Sequence, residues 1–406
     1  MKIRSITYFF NPGWPLQAHS LRQAGAFLAA ARPAFEAAGY EVQTVRLACV
    51  PFATLLPDLQ TSTVIELGRA LEQAAQDLGI EYVSLGPALP ELPASYPLIL
   101  EVIAATQNVF LSGVIAAPQT GVSLPAVRAC AGVIHQAAGL SPDGFANLRF
   151  AALANVPAGA PFFPAAYHAG DAPTFALATE AADLAVTTFS QASDLESARQ
   201  ALIATVESHA RALQQVANGL SAQFGLPFKG LDFTLAPFPE EALSFGTAIE
   251  RMGVPAVGEH GSLAAAAILA DTLDRASYGR TGFNGLMLPV LEDYTLALRA
   301  AQGTLSIKDL LLYSAVCGTG LDTVPLPGDA SVEALNALLL DLAALSLRLG
   351  KPLTARLMPI PGKKAGDPTG FDFAYFANSR VLALEAQPLG GALAGQESFP
   401  LSPRPV

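Results

Sequence analysis

IRSITYFF (residues 3–10), LRQAGAFLAAARPAFEAAG (21–39) and EVQTVRLA (41–48) follow one another near the start of a 406-residue chain. The outer two are apolar runs of strand length, rich in β-branched and aromatic residues. The middle one repeats its apolar residues at helical spacing and closes on Gly39, the cheapest residue for a left-handed helix end. Strand, helix and strand in that order predict a crossover unit, whose two strands lie parallel in one sheet.

The same alternation continues outward. TVIELGRALEQAAQDLG (63–79) leads into IEYVSLG (80–86), and NVFLSGVIAA (108–117) into AVRACAGVIHQAAG (126–139). NLRFAALANV (147–156) and DLAVTTF (183–189) read as strands, and SDLESARQALIATVESHARALQQVANGLSAQFG (193–225) reads as the longest helix. DFTLA (232–236), GLMLPV (285–290), LDTVPLP (321–327) and TARLMPI (354–360) supply further strands. About ten strand–helix alternations result, with no Ser/Gly linker, charge block or repeat dividing them. The pattern predicts one large α/β domain over residues 1–406, either a barrel or a long doubly wound sheet. In both, chemistry is expected at the C-terminal ends of the strands.

Composition narrows the partners. Hydrophobic residues make up 51% and charged residues 14%, which suits strands buried on both faces or a homo-oligomer interface. A net charge of −11 and the lack of a basic cluster beyond Lys363 and Lys364 argue against nucleic acid. No run reaches the roughly 18–20 apolar residues of a membrane span, and the first residues read as a strand instead of a signal peptide. Cys49, Cys130 and Cys317 are far apart and odd in number, so a reducing, cytoplasmic setting is expected.

Polar residues just beyond strands are the candidate site. They are Asn155 and His168 after FAALANV, Asp232 in LDFTLA, Glu292 and Asp293 after GLMLPV, and Cys317 and Asp322 in VCGTGLD. Each has a plain alternative: a buried carboxylate satisfied by backbone amides, a first-turn helix acid, a small buried thiol. VPAVGEHGSLAAAAI (254–268) adds a corner of Gly258, Glu259, His260, Gly261 and Ser262 at a helix start. Such a start exposes backbone N–H groups to a carboxylate or phosphate, with a histidine beside it to move a proton; the alternative is a glycine-rich cap. No nucleophile elbow, paired-histidine metal motif, phosphate loop or dinucleotide fingerprint is present.

LDFTLAPFP (231–239), VGEHGSLAAAAIL (257–269), LPVLED (288–293), QGTLS (302–306), VCGTGLD (316–322) and ARLMPIPGKKAGD (355–367) occur in that order. With IRSITYFF and LSPDGFANLRFAALANV (140–156) before them, the chain resembles the family known as domain of unknown function 711, or UPF0210, nearly end to end. The resemblance implies a single α/β barrel of about ten strands, like that of the pyruvate formate-lyase type of glycyl radical enzymes. Those enzymes carry a catalytic cysteine inside the barrel, and Cys317 falls where the family places a cysteine. Their C-terminal glycyl radical signature is absent from PLGGALAGQESFPLSPRPV, so radical chemistry is not expected.

The expected function is therefore acid–base chemistry on a small anionic metabolite inside the barrel. His168 and His260 would exchange protons, with Asp232 and Glu292 as orienting partners or second proton carriers. In one variant Cys317 is the nucleophile; in another His168, Asp232, His260 and Glu292 gather a divalent metal ion such as zinc, manganese or iron. Asn155, Gly258, Glu259, Gly261, Ser262, Asp293 and Asp322 would bind the ligand. The alternatives are a non-catalytic protein that binds or senses an amino-acid-like metabolite, and a scaffold whose site has decayed.

Overall fold

A computed structural model describes residues 1–170, 172–316 and 318–403. Eleven strands are found among these residues. They are β1 (Lys2–Phe10), β2 (Val42–Cys49), β3 (Tyr82–Ala88), β4 (Val109–Ala117), β5 (Gly121–Ser123), β6 (Phe150–Ala154), β7 (Thr174–Glu180), β8 (Phe228–Asp232), β9 (Gly320–Pro327), β10 (Leu353–Ile360) and β11 (Ser398–Phe399). All belong to one sheet, whose main path runs β8-β7-β1-β2-β3-β4-β6-β10-β9, while β5 and β11 form a small flap on β4.

The opening crossover is as expected: β1 pairs parallel with β2, from Ile3 opposite Val42 to Phe10 opposite Cys49, and the helix Ala18–Ala37 connects them. The expectation of a largely parallel sheet holds only within two families. β1, β2, β3, β4 and β6 run one way, each parallel to its neighbour. β7 is antiparallel to β1, and β10 is antiparallel to β6. β8 follows β7 and β9 follows β10, so these four run the other way.

Three strand expectations are corrected. DLAVTTF lies in the helix Ala182–Gln191, because its buried Ala182, Ala185, Val186 and Phe189 recur at helical, not alternating, spacing. The strand is the preceding TFALATE, all seven residues buried. β8 covers Phe228–Asp232, so Asp232 ends the strand instead of sitting within it. GLMLPV makes isolated parallel bridges only, Leu286 with Leu235 and Pro289 with Asp322 of β9, and Arg280 ahead of it bridges Leu231 of β8. Both ends of the strand path thus touch the same stretch, 280–289.

Helices cover one face of the sheet, and the main hydrophobic core lies between them. The longest, Leu195–Phe224, starts on Asp194, whose carboxylate accepts from Ser197 N at 2.9 Å, and closes on left-handed Gly225. Strand alternation sets which residues point away from that core. In β2, Val45, Leu47 and Cys49 face the helices, which leaves Thr44, Arg46 and Ala48 on the other face. In β10, Leu353, Ala355 and Leu357 do the same and leave Arg356 opposite. Among the described residues no helix is long and apolar enough to cross a membrane.

Candidate functional site

The face turned from the helices bounds a cavity of about 80 Å³. A buried water occupies roughly 10–15 Å³ by this kind of measure, so the space suits a small molecule. Its wall holds three arginines, one from each of three strands: Arg4 of β1, Arg46 of β2 and Arg356 of β10. Two are paired with carboxylates. Glu292 bridges them, with Oε1 accepting from Arg356 Nη2 at 2.6 Å and Oε2 accepting from Arg4 Nη2. Arg356 Nε also donates to Asp322 Oδ1 at 2.5 Å, and Arg4 Nη1 lies 3.9 Å from Glu180 Oε2. Burial works to raise the Glu292 carboxyl, but Arg356 and Arg4 outweigh it and hold the group below the usual glutamate value.

Arg46 differs from the other two. Among the described residues it makes no ion pair, and its one hydrogen bond runs from Nε to Thr44 Oγ1 at 2.8 Å. Its guanidinium lies 5.0 Å from the Phe163 ring centre and 5.6 Å from that of Tyr82. Burial, then the positive charge of Arg4, brings its pKa down from 12.5 to about 10, so it stays charged at neutral pH. Both Nη atoms are left for whatever enters the cavity.

Asp232 lines the same cavity and is buried. It accepts from the Thr234 hydroxyl, from Phe283 N at 3.0 Å and from Asn284 N at 2.9 Å. Burial pushes its carboxyl above the usual aspartate value, against these three donors. Glu180 accepts from Gln43 Nε2 at 2.6 Å, and burial raises it too, against Arg4.

Of the residues singled out in the sequence, the structure brings Asp232, Glu292 and Asp322 to this group of side chains. Asp293 caps the helix Tyr294–Gln302 and accepts from Ser244 Oγ at 2.6 Å and Gly246 N at 3.1 Å. The adjacent acids 292 and 293 therefore do different jobs. Asn155 and His168 lie at the opposite end of the first strand family: Asn155 N donates to Ala116 O, and His168 N donates to Cys49 O. Neither lines the cavity.

The corner at 258–262 is a surface turn, with Glu259 and His260 exposed. Gly261, not Ser262, is the N-cap residue of the helix Ser262–Arg275. Ser262 Oγ accepts from Gly258 N at 3.1 Å and donates to Glu259 O at 2.8 Å, so the corner satisfies itself. The four-residue metal set does not converge, since His260 is on the surface and Asp232 in the cavity wall. Among the described residues no group of three or more His, Cys, Asp or Glu is placed to hold a metal ion. Cys317 lies outside the described residues.

Sequence reasoning passed over Arg4, Arg46 and Arg356. Their signal was present as single arginines inside apolar strands, in IRSI, VRLA and ARLM. A charge at an alternating position of a strand buried on both faces must find a partner or a ligand.

The family described as "Uncharacterised ACR (DUF711)" matches residues 1–374. A UPF0210 protein of Pyrobaculum aerophilum is 33% identical over 362 residues, 84% of this chain and 79% of its own length. Another, of Acetivibrio thermocellus, is 30% identical over 348 residues, 81% of this chain and 76% of its own. A third, of Oenococcus oeni, is 29% identical over 354 residues. The chain belongs to the DUF711 family, whose relatives bear the name UPF0210.

Proposed function

We propose that this protein is an enzyme that takes a small anionic metabolite into the arginine-lined cavity and acts on it by acid–base chemistry. The observation that carries the reading is Arg46: a half-buried, charged guanidinium with no carboxylate partner among the described residues and two nitrogens open to the cavity. An unpaired charge in such a wall is costly, and a ligand anion is the natural compensation. Asp232 supplies the proton carrier, since it lines the same space and burial favours its protonated form.

We also propose that the sheet closes into a ten-stranded barrel, as the resemblance to the pyruvate formate-lyase type implies, with 280–289 as an irregular tenth strand. The three parallel bridges at Leu231, Leu235 and Asp322 support this, because they tie that stretch to both ends of the path. The cavity then lies inside the barrel.

The test is a proton NMR survey in which the protein is incubated with mixtures of carboxylates and organic phosphates. Consumption of one anion, lost in Asp232→Asn and weakened in Arg46→Met through a raised KM, is the expected result. Binding of an anion with no turnover would overturn catalysis and favour the sensing alternative. No binding of any anion would remove the reading altogether.

A further inference from the structure

The charges and rings around Arg46 say more about the ligand than its sign. Arg4 and Arg356 are both committed to Glu292, and Arg356 also to Asp322. A second negative group would have to compete with the Glu292 and Asp322 carboxylates for those two guanidiniums, and disturbing such buried pairs is unfavourable. One open guanidinium therefore calls for one carboxylate, which its two free nitrogens can hold side by side.

Six aromatic rings share the wall with neutral polar side chains such as Thr44, Thr179 and Thr234. Tyr82 and Phe110 meet edge to face with ring centres 5.1 Å apart, and Phe110 meets Phe163 in the same way at 5.4 Å. Two of these three rings also flank Arg46. Phe162 lies under Arg356 with its ring centre 5.6 Å from the guanidinium, and Phe373 and Tyr375 add two more rings. Aromatic rings pack a flat apolar group well through offset or edge contacts, and they offer few partners for hydroxyl or amino groups. The outer hollow beside the cavity shares Tyr82, Phe110, Leu148 and Phe373 with it. Its one arginine, Arg149, is spent on the carbonyls of Thr106 and Ile103 at 2.8 Å each. The approach thus presents rings and neutral polar side chains such as Asn108 and Ser141, not a free cation.

We infer that the ligand is a monocarboxylate with a flat apolar body, its carboxylate on Arg46 and its body against the Tyr82–Phe110–Phe163 ring cluster. This rests on the reading of the cavity as an anion site and narrows it to one class.

The test is isothermal titration calorimetry of the full chain with benzoate, butyrate, succinate and inorganic phosphate. The expected order is benzoate at least tenfold tighter than butyrate, and both tighter than succinate and phosphate. Arg46→Met should lose benzoate by tenfold or more, Arg46→Lys should keep part of it, and Phe110→Ala should narrow the gap between benzoate and butyrate. Succinate or phosphate binding best would overturn the monocarboxylate class and leave the anion site standing. Equal benzoate and butyrate would overturn the flat body. Failure of all four to bind would overturn the anion site itself, and with it this inference. If Arg46→Met is unfolded by circular dichroism, Arg46→Lys decides, because unchanged benzoate affinity there would overturn paired contact with the guanidinium.

Discussion

Glu292 accepts from two arginines that arrive from strands on different sides of the cavity, so removing its charge leaves both in a buried wall without their shared partner. Glu292→Gln is expected to lower stability by about 3–5 kcal/mol in urea unfolding, the scale for breaking a buried pair from one side. The pH dependence follows from the sign. The folded carboxyl titrates below its unfolded value of 4.5, so its contribution is present above that value and is lost as pH falls through the folded one. Wild type should therefore lose stability below about pH 4.5 more steeply than Glu292→Gln. Arg46 has the opposite balance. Its folded pKa of about 10 lies below 12.5, so carrying the charge disfavours folding at every pH below about 10. At 1.36 kcal/mol per unit the cost is at most on the order of 3 kcal/mol, and less because the cavity admits water. Arg46→Met without ligand is expected to raise the melting temperature while lowering anion affinity. A lower melting temperature would mean that the guanidinium already has a partner.

At the scale of elements, the direction of a strand decided what could be read in advance. The rule that chemistry gathers where strands end drew attention to Asp232, which closes β8, and to Glu292 in the stretch beside it, whereas Asp322, singled out with them, lies near the start of β9. The first family begins at the cavity, so Arg4 lies near a strand start and Arg46 in mid-strand, where that rule does not look. Strand periodicity alone could not show that β7 and β10 reverse direction, because pairing sense depends on partners distant in sequence. The same rule pointed to Asn155 and His168, which sit where the first family ends, away from the cavity. The glycine–histidine corner was legible as a helix start, but its exposure was not, since a cap looks alike on a surface and in a site. Gly258 there has φ +105, and a Cβ would fall 1.9 Å from Thr304 O. Gly258→Ala is expected to cost about 2 kcal/mol or more in urea unfolding, through backbone strain and the clash. His260→Ala should shift stability by no more than about 0.5 kcal/mol and leave anion affinity unchanged. A fall in affinity in that variant would return the corner to the site.

Across the whole molecule, the join at 280–289 links β8 and β9, the two ends of the strand path, and carries Met287 into the cavity wall just ahead of Glu292. Few ladder bonds hold it: Leu235 N to Gly285 O and Thr281 N to Leu231 O at 3.1 Å each, and Val290 N to Asp322 O, also at 3.1 Å. The carboxylate of Asp232 adds the amides of Phe283 and Asn284, so one side chain fastens the join from within the cavity. Asp232→Ala removes that fastening and leaves two amides to find other acceptors, at about 1–3 kcal/mol for each one left buried and unpaired. Hydrogen exchange should therefore speed up at residues 281–290 while the amides of β2, β3 and β4 keep their protection, a local opening instead of global unfolding. Anion affinity should fall with it, because the cavity wall shares the stretch. Protection at 281–290 equal to wild type would show that the strand bridges suffice. A loss spread over the whole sheet would show that the join is part of the same cooperative unit as the core strands.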